Sequence, residues 1–144
     1  MSMASVDTKR VFGTALPLAM GVSAGLNLVV YGVATQLLEV PLAIAHDPGM
    51  PLAPLKLVDV LVASIVPAVM ASILLALLGW FVKWPVLVFV SLSVVAFVMS
   101  LLVPLDVIAG AIEVGDERTR WILATMHAIA ATSIVTIFVR FSRR

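Results

Sequence analysis

Four long apolar stretches, separated by prolines, charges and tryptophans, set out the plan of this chain. They cover about residues 11–38, 57–81, 85–112 and 119–141. A helix needs roughly 20 apolar residues to cross a bilayer, and each stretch is about that long or longer. The pattern predicts an all-α, polytopic membrane protein: a four-helix transmembrane bundle over residues 1–144, read as a single domain because its polar segments are too short to fold alone.

The first stretch follows Lys9 and Arg10, the flank of a retained signal-anchor helix. A cleavable leader is the competing reading, but the apolar run continues well past the roughly 7–15 residues of a signal core. Gly21 and Gly25 form a GxxxG spacing, with Gly32 near the same face, and small residues of this kind let helices approach closely in lipid. Asn27 and Tyr31, four apart on another face, are placed to project together toward a neighbouring helix. Pro17 requires that neighbours satisfy the carbonyl it leaves free.

Residues 39–56 carry Pro41, Pro48, Pro51 and Pro54 with Gly49, too many breakers for a regular helix. The loop is also rich in Leu, Ala and Met. Those residues predict either a connector at the lipid interface or a lid over the mouth of the bundle.

In the second stretch Ser64, Ala68, Ser72 and Ala76 repeat every fourth position, a ladder of small residues that reads as a helix-packing face, like Gly21 and Gly25. Pro67 leaves the Ala63 carbonyl without its usual donor and marks a kink or a small cavity. Trp80 and Trp84 bracket a short turn at Lys83, as interfacial anchors do. Pro85 then opens the third helix, where a missing amide hydrogen costs nothing. That helix is expected to run past Pro104, kinked there, to about Ile112, which places Asp106 roughly 31 Å from Pro85, close to the far interface. A charged turn, EVGDERTR, leads into the last helix, with Thr119 as one of several candidate caps.

Composition fixes the class more firmly. Hydrophobic residues make up 62% of the 144 and charged residues 12%, with a mean hydropathy of +1.20, more apolar surface than a soluble core of this size can hide. A net charge of +1 gives no basic field for nucleic acid, and the absence of cysteine excludes disulfides, thiolate metal sites and cysteine nucleophiles. Six of the nine basic residues (Lys9, Arg10, Lys83, Arg140, Arg143, Arg144) fall on the side that would hold both ends. By the positive-inside rule both termini are cytoplasmic, in a multi-pass protein of the cell membrane.

Titratable chemistry inside the apolar segments concentrates at His127, about 9–12 Å from the start of the last helix by helical rise. Asn27, Pro67 and His127 are expected at similar depths in the outer half, with Tyr31, Asp59 and Asp106 around the mouth. The plainest role for His127 is structural, a neutral imidazole bonded to Asn27, Tyr31 or the Ala63 carbonyl. A ligand-binding or proton-handling role would draw on His127, Asn27, Tyr31 and Asp106. Axial ligation of a tetrapyrrole by His127 is a third possibility, with Ala124, Ala128 and Ala131 leaving a shallow surface beside it. His46 lies in the proline-rich loop, so no intramembrane histidine pair exists for a two-histidine haem site. Neither a metal site nor a resident cofactor is otherwise expected.

Asn27 with Tyr31, Pro67 and the small residues after it, SLLVPLD from Ser100 to Asp106, and MHAIAATSIV from Met126 to Val135 together resemble a family of small four-helix membrane proteins, largely actinobacterial and of unknown function. The resemblance spans about Val11 to Phe141. It implies four helices, both ends on one side and a histidine in the last helix, and it brings no activity with it.

No HExxH, glycine-rich phosphate loop or GxSxG is present, so no enzyme is expected. The predicted function is that of an accessory, assembly or interaction subunit of a membrane complex, or of a homo-oligomer, in contact with lipid and with other subunits or itself. The alternative is a protein that binds a small molecule, proton or pigment at His127. Packing surface on the first two helices in excess of what a monomer needs favours the former.

Overall fold

A computed structural model of the chain describes residues 6–45, 50–102 and 113–142. Asp7 starts the first helix, α1 (Thr8–Leu37), by accepting hydrogen bonds from the amides of Lys9 and Arg10, which moves the start three residues ahead of the apolar run. Two wide π-helical stretches lie within α1, Val11–Ala15 and Val33–Leu37. The first ends just before Pro17. A local change of winding there is a known way to re-satisfy the backbone around a proline that lacks its donor.

The helix α2 (Leu57–Phe81) has the predicted bounds and continues through Pro67. The helix α3 opens at Pro85 and is described to Leu101 (Pro85–Leu101), shorter than the expected run to 112; residues 103–112, with Pro104 and Asp106, lie outside the described residues. The last helix, α4 (Glu117–Phe141), starts two residues early because Asp116 is its cap, its carboxylate accepting the Thr119 amide at 2.7 Å. Thr119 is therefore the donor to the cap. Three of the four helices, α1, α2 and α4, are long and apolar enough to cross a membrane.

The proline-rich loop holds structure that its composition hides. Strands β1 (Ala43–Ala45), β2 (Ala53–Pro54) and β3 (Glu113–Val114) form a small antiparallel sheet in the order β2-β1-β3, pairing Ala43 with Pro54 and Ile44 with Val114. Val40, Leu42, Ile44 and Leu55 are buried there against Ala34, Val60 and Met126. The loop thus closes one end of the bundle as a packed cap. Glu39 turns the chain out of α1 at φ 51°, the left-handed region that a glycine would occupy without strain.

At the opposite end the Asp7 amide donates to the Ser142 carbonyl at 3.1 Å, so the two ends of the described chain meet. Gly79 allows this closure: a Cβ there would stand 2.8 Å from that of Val6.

Candidate functional site

One helix, α2, borders two different environments. Its ladder Ser64, Ala68, Ser72 and Ala76 is buried, and α2 packs closely with α1, which in turn packs on α4. Small side chains bring the backbones together, and polar atoms then find partners across the seam. The Asn27 amide donates to Ser64 Oγ at 2.9 Å, and that hydroxyl donates to the Val60 carbonyl at 2.8 Å. Asn27 is 3% exposed. One turn later the Tyr31 hydroxyl donates to the Leu55 carbonyl at 3.0 Å, tying α1 to the residues that lead into α2. Both residues project toward a neighbour as their spacing predicts.

The other face of α2 is open. Of α3, only Pro85 and Phe89 are fully buried, the Phe89 ring standing edge-on to Phe138 of α4 with centroids 6.1 Å apart. Beyond that anchor the inward residues of α3, Ser93, Ala96, Phe97 and Ser100, border a cleft of about 520 Å³ instead of a neighbouring helix. Ala63, Pro67 and Met70 form its α2 wall, Asp59 stands on the same wall near the capped end, and His127, Ala130 and Ala131 lie on the α4 wall. Pro67 and Ala63 both line this space, and α2 continues through Pro67.

His127 makes none of the three structural bonds expected of it. Its Nδ1 lies 2.8 Å from the Leu123 carbonyl, one turn back on its own helix. A carbonyl only accepts, so Nδ1 carries a proton, and in the tautomer with its hydrogen at Nδ1 the acceptor is Nε2. That nitrogen has no hydrogen-bond partner among the described residues. Across the cleft, the half-buried Ser93 hydroxyl is also without a partner among them, whereas Ser100 Oγ donates to the Phe97 carbonyl at 2.8 Å.

The predicted site residues therefore separate. His127 lines the cleft with Pro67 and Asp59, while Asn27 and Tyr31 serve the α1 seam, and Asp106 and His46 lie outside the described residues. Ser93, unlike the exposed Ser91 two residues earlier, lies on the face of α3 that lines the cleft, and which face that is depends on how the helices pack.

The two packing motifs also separate. The α2 ladder is used inside the bundle. Gly21 and Gly25 face outward, and a Cβ built on either meets nothing within 4 Å. Around them on the exterior lie Leu18, Val22, Leu26 and Val29. Among the described residues no three His, Asp or Glu side chains gather as ligands for a metal ion.

Fold and site together define a class: a small helical bundle capped by a short sheet, with an apolar exterior, three helices fit to cross a membrane, and a histidine-bearing cleft open on one side. Comparison with known families places the chain more narrowly. The profile of a family of unknown function, DUF6069, matches residues 7–144, and the chain belongs to that family. No curated protein and no solved structure matches it.

Proposed function

We propose that this chain is a multi-pass cell-membrane protein whose four helices all cross the bilayer with both termini in the cytoplasm, and that it binds a small organic molecule in the cleft between α2, α3 and α4. It acts by binding, without catalysis and without a resident metal or cofactor, as a member of a largely actinobacterial family. The observation that carries the reading is the cleft itself. A packed four-helix bundle closes its interior, whereas here α3 is held at Phe89 and leaves about 520 Å³ beside His127, within the range of small-molecule sites.

The test is to purify the protein in mild detergent from its native membrane and record native mass. A bound molecule is expected in the wild type and missing in Ala131→Phe, whose ring would occupy the part of the cleft one turn from His127. A wild type that carries only detergent and bulk lipid would overturn the reading.

A second reading, an accessory or self-associating subunit, is favoured by the outward face at Gly21 and Gly25, where an added Cβ meets nothing within 4 Å among the described residues. Its other motive, the α2 ladder, is spent on α1. Gly21→Ile with Gly25→Ile should abolish crosslinking to a second copy or another subunit if this reading holds.

A further inference from the structure

We infer that the molecule held in the cleft is an uncharged amphiphile with a hydroxyl head, a phenol or an alcohol on an apolar tail, and that its hydroxyl donates to His127 Nε2. This rests on the binding reading above and names the ligand class.

Four observations select that class. First, the imidazole is set by its own helix. With Nδ1 committed to the Leu123 carbonyl at 2.8 Å, the neutral ring can only accept at Nε2, so the complementary ligand atom is a donor. Second, Ser93 of α3 lines the same cleft, and its hydroxyl is a further polar group that can donate to a ligand oxygen. A hydroxyl can answer either group; an ether, ester or ketone can answer only the serine. Third, Asp59 stands on the wall of the cleft, its carboxylate held by the Lys56 amide at 3.0 Å, and it repels an anionic head such as a carboxylate or phosphate. Fourth, the remaining lining is apolar: Met70, Phe89, Phe97, Met126, Ala130 and Ile134 among others.

Size narrows the class further. A cleft of about 520 Å³ lies in the middle of the roughly 300–1,000 Å³ range of small-molecule sites. That suits a ring or short branched head with the first part of a chain. The rest of the tail leaves through the open side of the cleft, where the exposed residues Leu92 of α3 and Met70 of α2 border it.

The experiment uses the full chain in lipid nanodiscs and two probes, 4-hexylphenol and its methyl ether 4-hexylanisole, which differ in the donor hydrogen and one methyl group. Binding is measured by equilibrium dialysis for the wild type, His127→Phe and Ala131→Phe. Wild type should hold the phenol about tenfold more tightly than the ether, and His127→Phe should bring the ratio to about one while still binding the ether. Ala131→Phe should bind neither. Equal binding of the two probes by the wild type, or a phenol preference that survives in His127→Phe, would overturn the hydroxyl assignment and leave the cleft as a site of another chemistry. Failure of the wild type to bind either probe above empty nanodiscs would overturn both this inference and the binding function. For His127→Phe, retained ether binding is itself the sign that the bundle has folded.

Discussion

The two faces of α2 are built from similar residues and do opposite things. Toward α1, Ser64, Ala68, Ser72 and Ala76 sit at regular four-residue intervals, so the helices close on one another and the polar pair Asn27–Ser64 is buried with them. Toward α3, Ala63 and Pro67 are also small, but among the described residues the buried positions of the facing helix lie near its start, where Phe89 meets Phe138. Small residues permit a close approach; they do not cause one. The first seam is lined with buried residues along its length, and the second is open beyond the Phe89 anchor.

The sharpest way to break this contrast is at the anchor. Phe89→Ala should destabilise the bundle by about 3 kcal/mol, the low end for such a change, because helices that separate within a bilayer expose the ring to lipid and not to water, so part of the water-transfer term is missing. It should also free α3, seen as accelerated amide exchange from Val90 to Leu101. If exchange on α3 is unchanged, α3 is held elsewhere.

Overpacking the closed seam comes next. Ala68→Leu places a branched side chain where the residue has no exposure, and a loss of about 1–3 kcal/mol is expected in thermal unfolding in detergent. On the open side, Ala131→Leu should cost less than a third of that, since the side chain enters the cleft. Equal costs would mean that the cleft is not open in the membrane.

The polar pair should matter less than its burial implies. Asn27→Leu keeps the volume, and hydrogen bonds between membrane helices average about 0.6 kcal/mol, so a loss near that value is expected. A loss well above it would give Asn27 Oδ1, which is buried without a partner among the described residues, a role that the Ser64 bond does not capture.

The smallest expected effect lies at the capped end. Hydrogen bonding from Thr119 holds the Asp116 carboxyl below its ordinary value. A carboxyl lowered in the folded state contributes stability that is present above its unfolded value, near 3.8, and is lost as pH falls through the lower, folded value. Acidification should therefore fray the first turn of α4 before the rest, as read by amide exchange at Thr119, and Asp116→Asn should remove that pH dependence.

Helix bounds were legible in the sequence where a local signal stops the chain. Pro85 and the Trp80 to Trp84 turn mark the ends of α2 and α3 because proline chemistry and interfacial anchoring act within a few residues. The sheet was not legible. Ala43–Ala45 and Ala53–Pro54 lack strand alternation, and they are extended because Val40, Leu42 and Leu55 find a hydrophobic floor that only the assembled helix ends provide. The site was legible in part. His127 and Pro67 could be matched by depth, but depth does not give rotation about the helix axis, and rotation sends Asn27 and Tyr31 to the seam and His127 to the cleft.

The hydrogen bond between the Asp7 amide and the Ser142 carbonyl makes the path of this chain nearly a closed loop. A short linker joining these ends, with a new opening at Lys83 in the exposed turn between α2 and α3, would give a circular permutant with the same helix neighbours and a different order of synthesis. In that order α3 and α4 are synthesised first, before either helix of the small-residue seam exists. Such a permutant would show whether the cleft can be assembled without the seam as its template.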